Sequence, residues 1–263
     1  MFRALRDAMV AFFPHAIWRM RRGTRRMRRC VATGVPALDR MLGPRALPEG
    51  GIVELSGGAA ASALALHAVA CVQRSGGCAA FIDADQTLEK AYAESVGVNL
   101  DRLVVAQPGG AGEALGICER LADSGAVDVI VVDLASELSI RPGDEAPEWT
   151  GGPVARAREA RRCLRGISAA AEKTGTLCIF TSEPGEKTGV IFGEDGSAPG
   201  EMALSSCAVC RILVRCARCE KNGAGEPAGL RVRVKALKNP IGLRQFESEL
   251  DMPGQYAAGR GKR

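Results

Sequence analysis

Three short stretches hold residue types able to handle a charged ligand. The segment SGGAAASAL (56–64) follows an apolar run and leads into a helix-like stretch. Its small residues, Gly57 and Gly58 first, would let backbone N–H groups and a helix N-terminus approach a phosphate. A complete phosphate loop reads GxxxxGK[ST], however, and both the lysine and the second glycine are absent. Alone, the segment favours a tight strand-to-helix turn over a phosphate site. Two acidic strand ends come next: FIDAD places Asp83 and Asp85 at the tip of one apolar run, and VDVIVVD ends in Asp133. A carboxylate so placed can hold the water shell of a magnesium ion, as magnesium-nucleotide chemistry requires. Acidic strand ends also serve plain solubility, and the pattern by itself leaves both readings open.

Residues of this kind act together only if their strands end side by side. From residue 51, short apolar runs alternate with longer helix-like stretches, beginning with GIVELS and closing with TLCIFTS. Repeated β-α alternation with fully apolar strands predicts a mostly parallel central sheet covered on both faces by helices. In such sheets ligands bind beyond the carboxyl ends of the strands, where all three stretches fall. After residue 205, SCAVCRILVR, LRVRVKALK and QFESEL follow one another with the turn signals KNGAGEPAG and NPIG between them. They predict an antiparallel extension of the same sheet. At the other end Leu5, Met9, Phe12 and Phe13 recur at helical spacing before Pro14. Residues 2–13 therefore read as a short amphipathic N-terminal helix, joined to the core by the charged linker RMRRGTRRMRR (19–29).

A chain of 263 residues suits one large α/β domain, and 46% hydrophobic with 25% charged residues is globular composition. No apolar run approaches the ~20 residues needed to cross a bilayer, which excludes a transmembrane protein. The net charge of +5 is unevenly placed: residues 1–30 carry nine Arg and one Asp, and the remainder is net negative. Affinity for nucleic acid must then come from the ends or from local patches. One such patch holds Arg156, Arg158, Arg161, Arg162 and Arg165 over about three helical turns, as a basic stripe or as an ordinary solvated face. Ten cysteines without a cleavable signal peptide argue for a reducing compartment, the cytoplasm. The Arg-rich start also fits an organelle transit peptide. Cys207-x2-Cys210 and Cys216-x2-Cys219 invite a zinc reading, but only five residues separate the pairs, and Cys207 to Arg215 reads as a strand. No zinc is expected, and the thiols read as small buried groups. His67, on an apolar helix face, reads as a core residue.

The segments ATGVPALDRMLG, LPEGGIVELSG, GCAAFIDAD, AYAESVGVNLDRLVVAQP, GEALGICERLADSGAVDVIVVD, KTGVIFG and VRVKALKN, in this order, resemble the bacterial RecA recombinase family over residues 31–256. The resemblance implies an α/β, RecA-like P-loop NTPase core at 31–256. The expected organisation adds the basic N-terminal helix and linker at 1–30 and a basic tail at 257–263, without the family's separate C-terminal domain. The resemblance further implies that ATP and magnesium bind between neighbouring subunits of a helical filament, with single-stranded DNA along the axis. The implied partners are that DNA and further subunits, of its own kind or of a RecA, and no membrane.

By position, SGGAAASAL stands in the family's phosphate loop but is two residues shorter. Ser62 matches the magnesium-binding hydroxyl and Asp133 the Walker B acid, so these two would hold magnesium through a bound nucleotide. Asp85 stands where the family has the glutamate that activates the attacking water, and its shorter side chain is enough to spoil in-line geometry. Glu89 and Tyr92 match the adenine-contacting acid and aromatic. Glu183 replaces the glutamine that couples the γ-phosphate to the DNA-binding loop, and a carboxylate facing a phosphate repels it. Lys238 matches one of two lysines that reach the neighbour's nucleotide, while Pro240 occupies the second position. Arg158 and Arg165 match arginines after the first DNA loop, and Arg161 adds a third charge. The second DNA loop, at 185–201, keeps Lys187, Gly189 and Gly200 among acidic residues. The expected protein is a RecA-like subunit of DNA recombination or repair whose ATP hydrolysis is weak or lost. One alternative is an active DNA-dependent ATPase and strand-exchange recombinase. The other is a non-catalytic partner of RecA or of a translesion polymerase.

Overall fold

The structure is a computed structural model and describes residues 30–43, 46–134, 153–183, 199–221, 227–240 and 246–253. The expected N-terminal helix, the charged linker and the basic tail lie outside the described residues. Cys30–Val31 (β1) pairs antiparallel with Leu47–Pro48 (β2) around the helix Pro36–Leu42 (α1). Pro36 opens that helix, where a missing N–H leaves no bond unmade. The chain then alternates through Gly51–Ser56 (β3), Ala59–Arg74 (α2), Ala79–Asp83 (β4), Lys90–Ser95 (α3), Leu103–Ala106 (β5) and Ala111–Ser124 (α4). Val129–Asp133 (β6), Pro153–Thr174 (α5), Leu177–Ser182 (β7) and Pro199–Cys207 (α6) continue the pattern. Cys210–Lys221 (β8), Pro227–Lys238 (β9) and Glu247–Pro253 (β10) complete it.

Eight strands form one sheet in the order β10-β9-β8-β3-β7-β6-β4-β5. The six from β8 to β5 run parallel, and β9 and β10 are antiparallel. The mostly parallel sheet agrees with the sequence, but the extension starts one strand later than expected. Helix α6 returns the chain to the starting end of the sheet, so β8 runs parallel to β3 and antiparallel pairing begins at β9. Cys207, read as the start of a strand, is the last residue of α6.

Apolar runs arise because the central strands are buried on both faces. Ile52, Ile82, Ile130, Val132 and Phe180 pack on one side with Leu115 of α4, Leu164 and Ile167 of α5 and Leu204 of α6. Val53, Leu55, Phe81, Val131 and Ile179 pack on the other with Leu64 and Val69 of α2. Each such side chain contributes about 1.5–3 kcal/mol by leaving water. One charge interrupts the pattern. Glu54, only 4% exposed, stands in the middle of β3 directly across from Arg211 of β8. The guanidinium donates through Nε to Oε2 at 2.6 Å and through Nη2 to Oε1 at 3.3 Å, and the Ser182 hydroxyl adds a bond to Oε1 at 3.3 Å. A buried carboxylate left without its partner costs about 3–5 kcal/mol, so this contact ties β3 to β8 and β7.

Space is tightest where β3 turns into α2. Gly57 has φ +154°, and a Cβ there would lie 1.8 Å from the Val214 carbonyl oxygen of β8. Neither group can move without breaking the sheet. Gly57→Ala is expected to lower Tm by about 10 °C or more, on the order of 3 kcal/mol. Gly116→Ala, in α4 with nothing within 4 Å of the new methyl, should instead stabilise by about 0.5–1 kcal/mol. Thermal denaturation of the two variants checks both signs, and equal losses would contradict this packing.

Candidate functional site

The carboxyl ends of β3, β7, β6 and β4 lie side by side and bring the expected chemistry together. At the first of them the loop is already closed. The N–H groups of Gly57 and Gly58 donate to the Ser182 carbonyl at 2.8 and 3.2 Å, and the Ser56 hydroxyl reaches the Glu183 carbonyl at 3.3 Å. Gly58, at φ +53°, precedes α2 without a side-chain cap, and its carbonyl accepts from the N–H groups of Ala61 and Ser62. The Glu183 carboxylate lies over the same turn, with Oε1 3.6 Å from where a Cβ on Gly58 would stand. A negative group beside a helix N-terminus is electrostatically favoured, and this chain supplies one of its own.

One turn into α2, the Ser62 hydroxyl donates to Oδ1 of Asp133 at 3.0 Å. Asp133 is 2% exposed and is ringed by hydroxyls: Thr181 also donates to Oδ1, and Thr87 donates to Oδ2 at 3.3 Å. Burial holds the Asp133 carboxyl above its ordinary range. The charge of Asp85 pushes the same way, while the bonds from Thr181, Ser62 and Thr87 oppose it. Thr181 and Thr87 were not anticipated from the sequence. The usable signal was positional, since Asp133 ends β6 in register with Thr181, one residue before the end of β7.

Asp83 has a different task from Asp85. It is buried and accepts from the N–H groups of Thr87 and Leu88 at 2.8 and 3.3 Å and from the Gln107 amide at 3.2 Å. It thereby shapes the turn that carries Asp85 and Thr87 toward Asp133. Within that turn Gln86 has φ +53°, a left-handed conformation that costs a non-glycine residue about 1–2 kcal/mol. Glu89 follows as the extended residue before α3. Tyr92 is 2% exposed, with its hydroxyl 3.3 Å from Nε2 of His67 and the two rings edge to face. Its ring is part of the core between α2 and α3, and His67 is buried as expected.

The remaining expected residues are spread more widely. Lys238 donates to the Ala208 carbonyl at 2.5 Å, just past the end of α6. Arg158, Arg161 and Arg165 are exposed on α5, and among the described residues none has an acidic partner, whereas Arg162 is tied to Glu159. Lys187 lies outside the described residues, and Gly200, matched to the second DNA loop by the resemblance, belongs to the first turn of α6. Cys210 is buried, and burial pushes its thiol up to about 12 against the pull of Lys238. Among the described residues no three His, Cys, Asp or Glu side chains converge as a metal site.

Oxygen donors suited to a hard cation are present in Ser62 and Asp133, with Asp85 close enough to act on Asp133. A triphosphate fits the turn poorly. Its two glycine N–H groups already have an acceptor, no lysine follows them, and the Glu183 carboxylate lies at the same helix end.

The raised Asp133 carboxyl gives a signed prediction. The folded state holds that proton more tightly than the unfolded chain, so ionisation costs stability as pH rises from the ordinary carboxylate range through the folded value. Asp133→Asn should therefore raise Tm at pH 7, by about 2–4 °C per kcal/mol recovered, and the gain should shrink toward pH 4. Melting curves across that range check it, and a destabilised Asn variant at pH 7 would contradict it.

The RecA N-terminal domain family model matches residues 3–258. Protein RecA of Lactiplantibacillus pentosus is 38% identical over 251 residues, 95% of this chain and 66% of its own length. Protein RecA of Lactobacillus acidophilus is 38% identical over 224 residues, covering 84% of this chain and 61% of its own. For protein RecA of Tropheryma whipplei the figures are 39% over 224 residues, 84% and 51%. The chain thus spans less than two thirds of the length of these curated relatives. With the family model covering nearly all of it and a mostly parallel α/β sheet beneath, the chain belongs to the RecA family.

Proposed function

We propose that this chain is a RecA-like subunit of DNA recombination or repair that binds single-stranded DNA, assembles with its own kind or with another RecA, and hydrolyses ATP weakly or not at all. The observation that carries the reading is the closed turn, in which Gly57 and Gly58 give their N–H groups to the Ser182 carbonyl. Opening it would give up two hydrogen bonds at a half-buried turn, about 0.5–1.5 kcal/mol each, before any phosphate is held. Asp85 and Glu183 add to the case, the first by its short reach and the second by its charge. Ser62 and Asp133 remain able to hold magnesium should a nucleotide bind, and magnesium would there neutralise phosphate charge. Tyr92 and Lys238 have other duties in the fold, which weakens the case for an intact adenine pocket and for a reach into a neighbour's site.

The DNA side rests on Arg158, Arg161 and Arg165. Their spacing of three and four residues keeps them on one side of α5, and cations on one face release counterions from a phosphate backbone. No helix among the described residues is long and apolar enough to cross a membrane, and the cytoplasm is the proposed compartment.

ATP turnover with and without single-stranded DNA tests the catalytic half. It should stay at the background of Asp133→Ala, and DNA-stimulated turnover that Asp133→Ala abolishes would overturn the reading. For the DNA half, replacing Arg158, Arg161 and Arg165 by Ala should lower the slope of log K against log salt by about 2, since each lost phosphate contact removes about 0.7. An unchanged slope would contradict the assignment. Undetectable binding by the intact chain at low salt would favour a non-catalytic partner of RecA or of a translesion polymerase.

A further inference from the structure

Cys216 and Cys219 are three residues apart on β8, and in an unbroken strand they would face opposite sides of the sheet. Here they do not. Cys216 stands opposite Val232 of β9, Arg218 opposite Arg231 and Cys219 opposite Leu230, which leaves Ala217 as the extra residue of a β-bulge. The bulge resets the alternation. Both thiols consequently share the side of Val232 and Leu230, while Arg215 and Arg218 share the other side with Arg233 and Arg231. Both cysteines are exposed. Partial burial raises the Cys216 thiol first, and the charge and hydrogen bond of Cys219 raise it further. By contrast Cys118, Cys178 and Cys210 are buried.

The opposing residues Val232 and Leu230 are two apart, so the two cysteine Cα atoms are separated by one strand repeat, about 6.6–6.8 Å. That is the upper edge of the ~4.4–6.8 Å that a disulfide spans. A bond formed there draws on the give of an already bulged strand and carries strain, and strained, exposed disulfides are the ones that are easily reduced again.

We infer that Cys216 and Cys219 form a reversible dithiol–disulfide modification site whose oxidant is a small-molecule disulfide of the glutathione type. The thiolate of one cysteine attacks a sulfur of the small disulfide, breaks its S–S bond and releases one small thiol. The second cysteine loses its proton and attacks the protein sulfur of the mixed disulfide, expelling the second small thiol. The protein gives up two electrons and two protons, and the small disulfide takes them up as two thiols.

The test treats the reduced full chain with glutathione disulfide, blocks remaining thiols with iodoacetamide and maps peptides by mass spectrometry. Cys216 and Cys219 should escape alkylation together and appear as one cross-linked pair lighter by two hydrogens, reversed by dithiothreitol. Cys216→Ser and Cys219→Ser should each leave the other cysteine as a mixed disulfide, at about tenfold higher oxidant, because the intramolecular second thiol is lost. Mixed disulfides at both positions of the intact chain with no internal bond would overturn the inference. So would bonds to other cysteines or between chains, or the absence of reaction at both positions.

Discussion

A backbone N–H drawn out of water needs an acceptor, and at the half-buried turn from β3 into α2 that requirement fixes the site. Gly57 and Gly58 find theirs in the Ser182 carbonyl, which is available because β7 lies beside β3 with Ser56 and Ser182 in register. On the opposite side the Val214 carbonyl of β8 leaves no room for a side chain at Gly57. The turn is thus pinned by both neighbouring strands. From it follow the start of α2, the direction of Ser62 toward Asp133 and the place of Glu183 at the helix end. The Glu54–Arg211 pair reinforces the same arrangement by holding β3 against β8 from within the sheet.

The neighbouring acidic cluster retains features that a purely structural core would have little reason to keep. Asp133 is buried among three hydroxyls at a cost to stability, and Gln86 adopts a left-handed backbone beside Asp85. Such costs concentrate at sites that bind or once bound a ligand. Ser62 and Asp133 are thus the groups that would serve the cation-binding half of the proposed site, while at the turn the Ser182 carbonyl already accepts from both glycine amides and the Glu183 carboxylate lies at the helix end.

Much of this was legible in the sequence wherever one residue's type decides its fate. Runs such as VIVVD read as parallel strands because both their faces are buried, and Asp133 stood out because a charge ends such a run. The spacing of His67 on an apolar face marked it as core. What the sequence concealed depends on pairs far apart along it. The Ser182 carbonyl that closes the turn, the Thr181 and Thr87 hydroxyls on Asp133, and Arg211 on Glu54 become neighbours only through the order of the strands. Tyr92 illustrates the difference: the resemblance matches it to an adenine-contacting aromatic, while the bond of its hydroxyl to His67 in the core shows only in the structure. Helix α6 is short and follows a Gly-rich, acidic stretch, so the direction of β8 could not be read from the apolar pattern alone.

Amide hydrogen exchange at Gly57 and Gly58, followed by NMR in the presence and absence of ATP and magnesium, tests most directly whether the turn is closed by the protein itself. Both amides should exchange slowly in the free protein and at the same rates with nucleotide, their chemical shifts unmoved. Fast exchange in the free protein that slows when ATP and magnesium are added would mean that the amides wait for phosphate, and would contradict the account.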